Sequence, residues 1–241
     1  MEKVIGALWA PPGESREAYC VRLLASLPQA LQAAGARRVR INLRDAAVAP
    51  GEALVQQWQQ PQQDAVVQFW LPSSNARFRA AIDAALAMHS ARFTLWLVCE
   101  STIIPNSAHS PVPGERTWGW SQASFISFSP AMAREAAIAH WHSHHTRIAI
   151  ETQSNFEYVQ NLIVRPLTDG APAYDAFVEE CFPPQALTNP LAFFDAVDDK
   201  TKFDANLAAM MASCHAFLDF ARGDIMPTSQ FDFAHLDRSW C

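Results

Sequence analysis

One feature limits the fold of this 241-residue chain more than any other: its pattern of elements is written twice. VIGALWA (4–10) reads as an apolar strand. The helical segment after it, SREAYCVRLLASLPQALQAAG, opens on serine and closes on glycine, as capped helices do. RRVRINL (37–43) alternates with a strand's period of two, and DAVVQFWLP (64–72) is a second apolar strand run. NARFRAAIDAALAMHS is helical, and RFTLWLVCEST (92–102) is a fourth strand. The order is βαββαβ. The second half repeats it: strand ASFISFS (123–129), helical AMAREAAIAHWHSHHTRIAIETQ, strands EYVQNLIVRPL (157–167) and YDAFVEECFP (174–183), a helix around FDANLAAMMASCH, and a last strand in FLDFARGDIMP.

Two stretches align between the halves without gaps. DAVVQFWLP falls on DAFVEECFP at an offset of 111, and TLWLVCESTIIPN on AFLDFARGDIMPT at 122, while SREA precedes AREA by 118. Offsets that drift by a few residues are what loop insertions between duplicated units produce. A βαββαβ unit covers one sheet face with helices and leaves the other bare, and a bare apolar face must be buried. The economical solution packs the two sheets face to face with the helices outside. The expected fold is therefore α+β: two tandem units, 1–110 and 115–241, closed as a barrel within one chain and joined by the proline-rich linker SAHSPVPGERT (107–117). Closure also reduces the exposed-edge problem.

Half the residues are hydrophobic and 11% aromatic, enough for a sizeable core. The net charge is −6, and the one basic cluster, GARRVRINLR (35–44), alternates with apolar residues, so nucleic acid is not an expected partner. No apolar run approaches the roughly 18 residues of a membrane span. MEKVIGALWAPPG lacks the basic start and apolar stretch of a signal peptide, so the expected location is the cytoplasm, away from membranes. Five cysteines, far apart and without a CxxC pair, read as buried thiols of a reducing compartment, and their spacing excludes a cysteine zinc site. Without a glycine-rich phosphate loop, a G-x-S-x-G elbow or a dinucleotide fingerprint, no nucleotide cofactor is expected.

IAHWHSHHTRIAIETQ (138–153) places four histidines and a tryptophan in six positions. At 100° per residue, Arg134, Ala137, Ile138, Trp141, His145, Ile148, Ala149 and Thr152 share one face, the one expected to be buried. His140, His142 and His144 fan away from it. Only His140 and His144 form an i, i+4 pair, on the solvent flank and without a third ligand, so no functional metal is expected. His145 differs in being a titratable ring on an apolar face, able to accept or donate a proton near neutrality. Trp141, one turn earlier, offers a flat wall for an aromatic ligand. Asp175, at the start of a strand, could orient the His145 ring. Glu179 and Glu180 point to opposite sheet faces, so one of them faces inward and requires a partner.

The W-x-x-x-H of Trp141 and His145, the Tyr158 and Asn161 of FEYVQN, and the Tyr174 and Asp175 of YDAF occur in an order that resembles the EthD family, within the dimeric α+β barrel superfamily of ferredoxin-like units. The resemblance covers about 100 residues of the C-terminal half, and the N-terminal half shares only the layout. It implies tandem ferredoxin-like units packed sheet to sheet, where most members carry one unit and dimerise. The first N-terminal helix lacks the W-x-x-x-H pattern. Under offsets of 118 to 120, Trp141 falls on Leu23, Arg22 or Val21, and His145 on Leu27, Ser26 or Ala25. One site per chain is therefore expected, with the N-terminal unit as scaffold.

The resemblance implies a cofactor-independent oxidoreductase of monooxygenase type acting on a small hydrophobic or aromatic metabolite. His145 and Asp175 would be catalytic, and Trp141, Tyr158 and Asn161 would bind substrate. The alternatives are a proton-transfer lyase, cyclase or isomerase using His145, a haem-binding barrel with His145 as axial ligand, and a non-catalytic ligand-binding barrel. Either a monomer with a pseudo-dimeric barrel or a homodimer fits this reading.

Overall fold

The computed structural model describes residues 1–233. The end of the expected C-terminal unit and Cys241 lie outside the described residues. The first half runs β1 (Glu2–Trp9), α1 (Arg16–Ala33), β2 (Val39–Leu43), β3 (Ala65–Leu71), α2 (Ala76–His89) and β4 (Arg92–Ile104). The second begins with β5 (Trp120–Ile126). Next, α3 (Arg134–His140) passes through a π-helical turn (Trp141–His145) into α4 (Thr146–Thr152). β6 (Glu157–Pro166), β7 (Ala176–Phe182), a short α5 (Pro190–Phe193), α6 (Lys200–Phe217) and β8 (Asp224–Asp232) complete it. The expected serine cap is in place: Ser15 accepts a hydrogen bond from the Ala18 amide at the start of α1.

The eight strands form one closed antiparallel barrel in the order β1-β3-β2-β8-β5-β7-β6-β4. Each half contributes four consecutive strands, and two seams join the halves: β2 with β8 and β4 with β6. The barrel thus closes within one chain, and every strand finds a neighbour on both sides. The halves are hydrogen-bonded into one sheet at both seams, which is more than face-to-face packing.

Alternation along the strands divides the core in two. Outward faces pack against helices, with Val4, Val39 and Phe69 of the strands against Leu23 of α1 and Ile82 of α2 in one half, and Tyr158 and Val178 against Trp141 of the π turn and Phe217 of α6 in the other. Inward faces fill the barrel. One end is apolar and aromatic, built on Trp96, Phe125, Tyr174 and Phe177. The middle is polar. Glu179, fully buried, accepts hydrogen bonds from Arg40 (2.9 Å), Gln68 (2.8 Å), Gln230 (2.9 Å) and Asn42. Burial alone would push its carboxyl up, but Arg40 and these donors outweigh it and hold Glu179 at about 2. Arg40 also donates to Glu157 at 2.7 Å and lies against Asp232, so a cation from the first half neutralises carboxylates of the second.

Two expectations need correction. The β3 and β7 alignment at offset 111 coincides with the strands, but the alignment at 122 does not. Register places Leu97 opposite Val4 and Pro227 opposite Gln122, so β8 begins later, and AFLDFA is the end of α6 and the turn after it. Helix end and strand are both short apolar runs, which periodicity alone does not separate. The cysteines are not uniformly buried: Cys20 and Cys181 are, Cys214 is half-buried and Cys99 is exposed.

Candidate functional site

Between the outer face of the C-terminal sheet and its helices lies a cavity of about 320 Å³, lined by Trp141, His145, Tyr158, Val178, Glu180 and Phe217 among others. The helix supplies the first two. β6 supplies Tyr158 and β7 supplies Glu180, whose outward position follows from the inward one of Glu179. Most of the expected buried face of the helix is observed, with Trp141 1% and His145 9% exposed and His142 in solvent, but Arg134, expected on that face, is exposed and reaches Asp175 instead.

The helix is not a regular α-helix there. The Thr146 amide reaches the Trp141 carbonyl, five residues back, and the Thr146 hydroxyl donates to the same oxygen at 2.8 Å. The wider turn is tied to the sheet. Gln160 Nε2 donates to Thr146 Oγ1 at 2.8 Å and to the Tyr158 hydroxyl at 2.7 Å. Single π turns of this kind recur at functional sites, and this one carries both Trp141 and His145 toward the sheet.

His145 Nδ1 lies 3.0 Å from Ser213 Oγ on α6, and its ring packs against Phe217. Burial, reinforced by His140 and His144, depresses its pKa to about 4, so the imidazole is neutral near neutrality. Glu180 is shifted the other way. Burial raises its carboxyl to about 7, opposed only by a hydrogen bond from Asn155 at 2.8 Å, and no cation pairs with it among the described residues. Ser124 Oγ, also in the lining, is buried without a hydrogen-bond partner. The cavity therefore combines aromatic walls with a neutral imidazole, a carboxyl poised near neutral pH and a free hydroxyl.

Not every expected residue is here. Asp175 is remote from His145. Its carboxylate accepts from the Phe128 amide at 2.8 Å and pairs with Arg134 at 3.3 Å, fixing the start of β7 against α3. Asn161, three residues after Tyr158, faces the barrel interior and donates to the Phe177 carbonyl, so of that pair only Tyr158 lines the cavity. Glu180 was legible only as one of two adjacent glutamates, because alternation says that they diverge but not which way.

The N-terminal half has no counterpart. At the offset of 118, Trp141 and His145 correspond to Leu23 and Leu27. Across the paired strands, Tyr158 and Glu180 correspond to Val39 and Phe69. All four are fully buried apolar side chains, and they fill the space that the other half leaves open.

The His140 and His144 rings meet at a tilt with centres 5.0 Å apart, and among the described residues no three His, Cys, Asp or Glu side chains gather as metal ligands. Haem, which the fold family includes, does not fit these residues. The cavity lining contains no lysine or arginine for its propionates and sets a carboxyl against them.

The family model for the EthD domain matches residues 129–221, a segment that holds Trp141, His145, Tyr158, Asn161, Asp175 and Glu180. A search of curated proteins finds no match. Among solved structures, an anthrone oxidase-like protein superposes with a TM-score of 0.58 over 97% of this chain and 94% of its own, at 10% identity. A candidate monooxygenase from Lactobacillus acidophilus gives 0.49 over 95% and 93%, at 8% identity. The first likeness shows the shared fold, and the second is too weak to argue from.

Proposed function

We propose that this chain, which carries an EthD domain over residues 129–221, is a cofactor-independent oxygenase of small aromatic carbon acids, with one active site in the C-terminal cavity. We read residues 1–110 and 115–241 as two ferredoxin-like units, the first kept as scaffold. Their common βαββαβ order and their matching arrangement in the barrel support that reading.

The observation that carries the proposal is the pairing of Glu180 with aromatic walls in one cavity. A general base works best with a pKa near the operating pH, and burial brings this carboxyl to about 7. The cavity, about 320 Å³, falls within the ~300–1,000 Å³ of small-molecule sites. Glu180 removes a proton from an activated CH₂ of the substrate. The carbanion is oxidised by dioxygen to a hydroperoxide anion, which regains the proton from Glu180 and loses water to leave a ketone. The sum is CH₂ + O₂ → C=O + H₂O. His145, neutral and held by Ser213, hydrogen-bonds the substrate oxygen, while Trp141 and Tyr158 hold the ring.

Anthrone, suggested by the name of the structural neighbour, is a suitable test substrate because its methylene is acidified by a ketone across the ring. In air, the purified protein should convert it to anthraquinone with one O₂ consumed per product. Glu180→Gln should lower kcat by about 10²-fold or more, the range of lost acid–base catalysis. A rate equal to the buffer background would remove the oxygenase reading. Turnover of a related carbon acid without oxygen uptake would replace it with proton-transfer chemistry at the same carboxyl.

A further inference from the structure

A second cavity, of about 400 Å³, opens at the mouth of the barrel where β1 begins and β4 ends, beneath the linker around Asn106. It is distinct from the site above, since the two share no lining residue. Its floor is charged, and both of its cations are already paired. Lys3 pairs with Glu100 at 2.6 Å, and Arg40 is engaged with Glu157, Glu179 and Asp232.

Two donors at the cavity are not matched. Arg38 lies with its guanidinium 4.2 Å from the centre of the Trp70 ring, and among the described residues it forms no ion pair; its Nε is buried without an acceptor. Asn106 uses its side-chain oxygen to accept from the His109 amide, which turns the Nδ2 group away from that bond, and Nδ2 is also buried without a partner. Buried polar groups are ordinarily hydrogen-bonded, and leaving a donor unmet costs about 1–3 kcal/mol. Both groups require acceptors, and one of them is cationic. The remaining walls include Trp70, Val159 and Pro111, which are apolar.

We infer that this cavity binds a small monocarboxylic acid, its carboxylate accepting from Arg38 and Asn106 and its apolar body lying against Trp70 and Val159. A guanidinium presents the planar fork that matches a carboxylate. Glu100, Glu157 and Asp232 also line the cavity, in excess over Lys3 and Arg40, and disfavour a second negative charge on the ligand, which selects monoacids over diacids.

The test is calorimetric titration of the full chain with benzoate, and with benzyl alcohol as the same ring without the carboxylate. Benzoate should saturate a site that benzyl alcohol does not fill. Arg38→Gln and Asn106→Ala should each weaken it at least tenfold without moving the melting temperature, and Val178→Phe, which fills the other cavity, should leave it intact. Absence of saturable binding to the wild type would overturn the inference, as would equal affinity for the alcohol. Binding that survives both mouth variants but is lost in Val178→Phe would overturn it as well.

Discussion

Glu180 and His145 line one cavity with opposite pKa shifts, and their effects on stability oppose each other. The folded pKa of Glu180, about 7, lies above its ordinary 4.5. As pH rises through that interval the unfolded chain loses a proton that the native state keeps, so stability falls and levels off above 7. His145, at about 4 against 6.5, does the reverse. Below 6.5 the unfolded chain binds a proton that the native state refuses, so stability is lost as pH falls toward 4. Each interval corresponds to about 3 kcal/mol, and over most of the range the two cancel. Relative to wild type, Glu180→Gln should therefore gain stability as pH rises from 4.5 to 7, and His145→Gln should lose it as pH rises from 4 to 6.5. Urea midpoints across the range check this, and parallel curves for all three proteins would refute it. At the barrel centre, Arg40→Met would leave Glu157 and Glu179 buried without their cation, a loss of about 3–5 kcal/mol readable in the same titrations.

Among the elements, strands were the most legible because a strand buried on both faces reads as a short apolar run bounded by turn residues. DAVVQFWLP and DAFVEECFP became β3 and β7 in matching register. The π turn was not legible. A wheel drawn at 100° per residue still placed Trp141 and His145 on one face, but the extra residue leaves no apolar signature, and its causes, Thr146 and Gln160, lie outside the histidine cluster. The position of Asp175 was invisible for a related reason: which side chain meets a strand's first residue depends on helix packing, not on periodicity. The turn has its own test. Thr146→Val keeps the shape but removes the bond to the Trp141 carbonyl and the acceptor for Gln160. It should cost about 1–3 kcal/mol and weaken cavity ligands, as measured by denaturation and binding on one sample. Full affinity in the variant would show that the turn does not position the site.

For the molecule as a whole, closing the barrel within one chain removes the need for symmetry. A barrel assembled from two copies would carry two cavities. Here Leu23, Leu27, Val39 and Phe69 fill one of them, while Arg40 with Glu179 and Lys3 with Glu100 lie within the joined barrel. Residues 1–110 and 115–241 expressed apart should be insoluble or self-associated, and co-expression should restore a soluble complex. A stable monomer with a cooperative melt from either half would contradict an interdependent barrel. The claim on which the functional account rests is that one C-terminal cavity is the ligand site. The most direct measurement is an absorbance titration of alizarin, a soluble tricyclic probe, into wild type and Val178→Phe. The account predicts one site per chain in the wild type and no saturable binding in the variant, with both proteins folded by their melting curves. Unchanged binding in Val178→Phe, or two sites in the wild type, would place the ligand elsewhere.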